Sequence, residues 1–203
     1  MQLPKNRIHP SRLPKDAPEW VKLTVKGRWY LRDGVDYKNT NHRYDKSHYL
    51  FNEAFELAKD TASNFDLARI CLWNGISLNE NTDLNIKTRN NLAIKLYLKG
   101  VKYLSQLDSD SNSTITIPVL ASLYNSIGVG YHHLSRKDRF DLIPKKSIKY
   151  YKMSYELYKT HPELHRDMTR IMKKVESNSG WQVVRGGSAS KFTHANIFSG
   201  NQP

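Results

Sequence analysis

Cysteine is nearly absent from this chain: Cys71 is the only one in 203 residues. A single thiol excludes an internal disulfide framework and a zinc site built from several cysteines. It fits a reducing compartment. Long apolar runs are absent too, and none approaches the roughly 18 residues needed to cross a bilayer. Acids are scarce at both ends. The first 15 residues hold Lys5, Arg7, Arg12 and Lys15 and no acid, and residues 177–203 hold none either. Across the chain 32 Lys and Arg stand against 19 Asp and Glu, a net charge of +13. Such a charge favours anionic partners such as nucleic acid, acidic proteins or anionic membrane surfaces. The basic, acid-free start resembles a mitochondrial transit peptide in charge, but Pro4, Pro10 and Pro14 break the amphipathic helix such a peptide needs. The expected location is a reducing intracellular compartment, the mitochondrion first and cytoplasm or nucleus as alternatives.

Chemistry-bearing constellations are also missing. Gly75, Gly100, Gly128 and Gly130 fall within helical patterns and form no loop able to cradle phosphate. No nucleophile–base set or paired carboxylates stand out. Cys71 lies in an apolar helical stretch and reads as a small core residue. His161 and His165 share one helix face, but Pro162 stands where a metalloprotease motif needs Glu, so they read as a solvated helix start. Asp108, Asp110 and Asn112 imitate the opening of a calcium loop. Ser113 replaces the required Gly and Val119 the required Glu, leaving a flexible polar loop. The sequon Asn112-Ser113-Thr114 reads as a chance match. No catalytic residue, metal ligand or cofactor is assigned, and the chain is expected not to be an enzyme.

What is present is a spaced triplet: a small residue, an aromatic four positions on, and a small residue three beyond that. It occurs as Ser47/Phe51/Ala54, Ala93/Tyr97/Gly100 and Ser147/Tyr151/Ser154, with starts 46 and 54 residues apart. Between these lie Cys71-x2-Asn74-Gly75-x2-Leu78 and Tyr124-x2-Ile127-Gly128-x2-Tyr131. Small residues let two helices approach, and the large residue fills the space beside them. The pattern predicts stacked helical hairpins, chiefly a binding architecture.

Helices are expected over about 45–60, 65–79, 86–107, 118–135, 144–159 and 160–176. Ser63 and Asp66 form a variant capping box for the second, and Pro118 suits the first turn of the fourth. Residues 1–44 read as a basic arm, dispensable for a helical domain over 45–176. Within the arm, Val21, Leu23 and Val25 alternate with Lys22, Thr24 and Lys26, a strand pattern before the Asp33-Gly34 turn. A small hairpin fits this stretch, as does an irregular segment packed by Trp20, Trp29 and Tyr30. Residues 177–203 are expected to be disordered when free. The apolar islands around Trp181 and Phe198 fold onto a partner or back onto the chain's own groove.

Residues 119–160 resemble a tetratricopeptide repeat, whose first helix carries aromatic-x2-Leu-Gly-x2-Tyr and whose second carries small-x3-aromatic-x2-small. Residues 67–107 resemble a second, with Cys71 and Asn74 departing from the signature, and 45–60 resemble the second helix of a third. The family period is 34 residues; the longer spacing here implies a short, irregular α-solenoid. The resemblance implies an adaptor or assembly factor whose groove, between 65–79 and 118–135, holds a protein partner. Asn74, Tyr124, Asn125 and His132 are its expected polar contacts.

Lysine stripes suggest an alternative. Lys95, Lys99 and Lys102 share a helix face; Lys145, Lys149, Lys152 and Lys159 share another; Arg166, Arg170 and Lys173/Lys174 a third. Lys22, Lys26, Arg28 and Arg32 add to this from the arm. Together they make a candidate surface for RNA or a ribonucleoprotein, in organellar gene expression for example. The tyrosines at 97, 124, 131, 151, 155 and 158 fall on packing faces and read as core.

Overall fold

The computed structural model describes residues 2–4, 8–36, 41–107, 113–135 and 144–159. Among them are a 3-10 turn, Pro10–Arg12, and six α-helices: α1 (Glu19–Asp36), α2 (Asn41–Ala58), α3 (Asn64–Glu80), α4 (Ile86–Leu104), α5 (Ser113–Leu134) and α6 (Lys145–Lys159). The described residues contain no strand. The all-α expectation holds.

Helices pair in chain order: α1 with α2, α3 with α4, α5 with α6. Between pairs, α2 packs on α3 and α4 on α5, and α3 also touches α1 and α5. The result is a stack of three hairpins with α3 at its centre. Every residue of α3 from Asp66 to Asn79 is buried, as expected for a helix with neighbours all round.

All nine residues of the three triplets are buried. Each aromatic lies across a glycine on the first helix of its own hairpin. A methyl carbon placed on Gly128 would stand 2.7 Å from the Tyr151 ring, and one on Gly27 would stand 2.8 Å from Phe51. The Tyr97 ring lies closer still to Gly75. Ser47 Oγ–H adds a hydrogen bond to the Gly27 carbonyl at 2.9 Å, and Ser154 Oγ–H one to the Ala121 carbonyl at 2.8 Å. Polar small residues thus close two hairpins by bonding across the contact.

Several expectations need correction. Residues 19–36 form a helix, neither a β-hairpin nor an irregular segment. The strand-like alternation is overridden by a helical stripe: Trp20, Val21, Thr24, Val25, Gly27, Arg28 and Leu31 are all buried. Pro18 precedes the helix, and its carbonyl accepts from Val21 N–H at 2.9 Å. The core therefore does not begin at residue 45, because α1 supplies Val21, Val25 and Leu31 to it. Arg28, expected on the basic surface, is buried. Helix α5 starts at Ser113, a turn ahead of Pro118, which lies inside the helix rather than in its first turn. The Ser63 cap is as expected, with its Oγ accepting from Asp66 N–H at 3.1 Å. The expected helix over 160–176, the histidines at 161 and 165, the Asp108–Asn112 loop and the tail lie outside the described residues.

Candidate functional site

The most distinctive polar constellation joins α1, α3 and residues 2–4. Asp66 and Arg69 stand three apart on α3 and so share a face. They form an ion pair at 3.2 Å in which both side chains are more than nine-tenths buried. Ser63 Oγ–H also donates to Asp66 Oδ2 at 3.1 Å. The guanidinium carbons of Arg28 and Arg69 lie 4.2 Å and 4.9 Å from the Trp73 ring centre. Both arginines are thus set against an aromatic surface, which suits planar, weakly hydrated guanidinium groups. Burial pulls the Arg69 pKa down from its ordinary value, and Asp66 opposes that shift.

This constellation grips the main chain of residues 2–4. Leu3 N–H donates to both carboxylate oxygens of Asp66, at 3.3 and 3.4 Å. Arg69 donates to the Leu3 carbonyl at 3.0 Å and to the Pro4 carbonyl at 2.5 Å. Arg28 donates to the Pro4 carbonyl at 3.4 Å. The Leu3 side chain is buried in the main core. Residues 2–4 are therefore held by main-chain hydrogen bonds and one apolar anchor.

The four expected groove residues do not form one polar surface. Asn74 is buried and faces α2, not α5. Its Oδ1 lies 2.5 Å from His48 Nδ1, and its Nδ2 donates to Asn52 Oδ1 at 2.7 Å. Asn52 Nδ2 lies 3.1 Å from His48 Nε2, closing a three-residue ring. Asn74 thus fastens two hairpins together. Asn125 is buried as well. Tyr124 and His132 are half-buried. The Tyr124 ring lies 6.1 Å from Tyr150, which stacks on Tyr131 at 5.8 Å. Tyr97, Tyr151, Tyr155 and Tyr158 are core, as expected, whereas Tyr124 and Tyr131 are half-buried.

The lysine stripes lie on the second helices of their hairpins. Lys95, Lys99 and Lys102 on α4 and Lys145, Lys149 and Lys152 on α6 are exposed. Lys99 Nζ sits 3.7 Å from the Phe55 ring centre, and Lys159 pairs with Glu156 at 2.9 Å. Helix α4 contains no acid over its 19 residues. Arg166 and Arg170 lie outside the described residues.

Burial drives the Cys71 thiol up to about 12, so it stays protonated and unreactive at neutral pH. Among the described residues no three or more His, Cys, Asp or Glu cluster as a metal site would require. No described helix is long and apolar enough to cross a membrane. Comparison with models of known families, with curated proteins and with solved structures gives no match.

Sequence reasoning missed Leu3, Arg69 and Trp73, and it assigned Arg28 to an anion-binding surface. One signal was present: Asp66 and Arg69 are charges set among the apolar residues Phe65, Leu67, Ala68, Ile70, Cys71 and Leu72 of a helix. Charges placed there must pair or grip something.

Proposed function

We propose that this chain is a non-catalytic adaptor or assembly factor of the tetratricopeptide-repeat type. It holds an extended segment of a protein partner against the faces of its first helices. One observation carries this reading: α1 and α3 already hold a non-helical segment, residues 2–4, through side chains that bond to its backbone. Stacked helical repeats present extended binding surfaces, and main-chain bonds for affinity with a pocket for a side chain are a recurring way of holding a peptide, best known at sheet edges. The binding face differs from the expected groove. It centres on Arg28, Asp66, Arg69 and Trp73, whereas Asn74 bonds to His48 and Asn52 of α2. The test is affinity purification of tagged full-length protein, with and without nuclease. Partner capture should resist nuclease and fall in Arg69→Met. Capture abolished by nuclease would remove the reading.

A second reading, binding of RNA or a ribonucleoprotein, draws on the exposed, acid-free lysine row of α4 and the row on α6. Neutralising about six phosphates would give a log–log salt slope of roughly −4 to −5. Replacing Lys145, Lys149 and Lys152 by Gln would make it shallower by about 2 to 3. The adaptor reading expects no such change in partner capture. Tight, salt-sensitive RNA binding lost in the triple variant would displace it.

A further inference from the structure

We infer that the slot formed by Arg28, Asp66, Arg69 and Trp73 is an exchangeable peptide site, occupied in cis by residues 2–4 and opened when a partner's extended Leu-Pro segment takes their place. This deepens the adaptor reading and rests on it.

The slot's side chains are also held by neighbours other than its occupant. Asp66 is held by Ser63 and Arg69, and both guanidinium groups lie against Trp73. A site whose side chains are fixed by their neighbours binds without first ordering itself. Its contacts with residues 2–4 are directed at the Leu3 N–H and at the Leu3 and Pro4 carbonyls. Every peptide offers such groups, so the hydrogen bonds alone do not select the chain's own segment. Selection comes from the buried leucine and from the proline after it. A residue before proline is biased to extended backbone, so a Leu-Pro segment has less freedom to lose on entering the slot. Gln2 is exposed and Pro4 is half-buried, so one side chain supplies most of the anchorage. A partner segment of Leu-Pro type meets every one of these demands.

Being tethered, residues 2–4 compete at an effective concentration on the order of millimolar. A free peptide at micromolar concentration therefore binds poorly until the tethered segment is weakened.

The experiment uses the full chain and a fluorescent peptide of residues 1–9, Met-Gln-Leu-Pro-Lys-Asn-Arg-Ile-His, followed by anisotropy. The Leu3→Ser chain should bind it saturably, and at least tenfold more tightly than the unaltered chain. A peptide carrying Ser in place of Leu3 should fail, as should the Leu3→Ser chain that also carries Arg69→Met. Hydrogen exchange on the unaltered chain gives a second reading that needs no variant. Excess peptide should strip protection from the Leu3 amide and leave the α3 amides protected. Equal binding by the Leu3→Ser and unaltered chains would overturn the proposal, as would no saturable binding with Leu3 protection unchanged. A dimer of the unaltered chain that disappears in Leu3→Ser would make the occupant a second copy, overturning the partner assignment. Nuclease-resistant capture that persists when the peptide fails would sink the plug alone and leave the adaptor reading standing.

Discussion

Tyr97 occupies the space that a side chain on Gly75 would need. The ring comes from the second helix of the central hairpin and is fully buried across the first. Phe51 stands in the same relation to Gly27, and Tyr151 to Gly128. Three hairpins are thus closed by one device, in which a missing side chain admits a ring. Ring burial contributes the energy and the glycine sets the interhelical distance.

This contact gives the first prediction. Gly75→Ala should destabilise the protein by about 1–3 kcal/mol through overpacking, although alanine gains about 1 kcal/mol in helix propensity. Combining it with Tyr97→Leu should restore part of the loss, because the two residues share one space. Urea melts of both single variants and the double variant would measure this. A Gly75→Ala protein more stable than the parent would show that the ring can move aside.

A second prediction concerns the N-terminal helix. Deleting residues 1–40 removes α1, strips Phe51 of Gly27 and removes Val21, Val25 and Leu31 from the core. That fragment should lose cooperative thermal melting, contrary to the expectation that a domain from residue 45 stands alone. A sharp transition near the parent Tm would show that the other two hairpins suffice.

The third prediction separates the two members of the buried pair. Asp66→Ala leaves the buried Arg69 with carbonyl acceptors but no counter-charge and should cost about 3–5 kcal/mol. Arg69→Met should cost less. It leaves Asp66 with donors from Ser63 and Leu3 and keeps apolar bulk beside Trp73. Denaturant midpoints should therefore rank the parent first, then Arg69→Met, then Asp66→Ala. The reverse order would show that Asp66 gains little from the guanidinium.

The fourth prediction concerns pH. Burial lifts the Glu80 carboxyl from 4.5 to about 7, against the pull of the Arg89 charge. An acid with a raised folded pKa binds more protons when folded, so its contribution to stability declines as pH rises. That contribution is fully present below about 4.5 and is lost by about pH 7. Glu80→Gln removes the titration. Its stability relative to the parent should climb between pH 5 and pH 8 by an amount on the order of 1–3 kcal/mol. A constant difference across that range would mean that Glu80 ionises without penalty in the folded protein.

Local pattern in the chain was enough to place helices over about 45–60, 65–79, 86–107, 118–135 and 144–159, though not the starts of α2 and α5, together with the Ser63 cap and the packing role of the three triplets. These depend on neighbours one or two turns apart, which sequence spacing reports directly. Helix α1 was not legible. Its alternating Val21, Leu23 and Val25 also suit a strand, and Lys26 stands beside Gly27 where the other two hairpins carry Asn74 and Ile127. Only packing against α2 chose the helical face, since burial of Phe51 on Gly27 outweighs local preference. The slot was still less legible, because Asp66 and Arg69 lie 63 and 66 residues from the Leu3 they hold, and Arg28 lies 24 from Pro4. Asn74 shows the same limit. An asparagine amid apolar residues announces a buried polar partner, but which helix supplies that partner is decided by the stacking of hairpins. Spacing along the chain determines which residues share a helix face; long-range packing decides what that face meets.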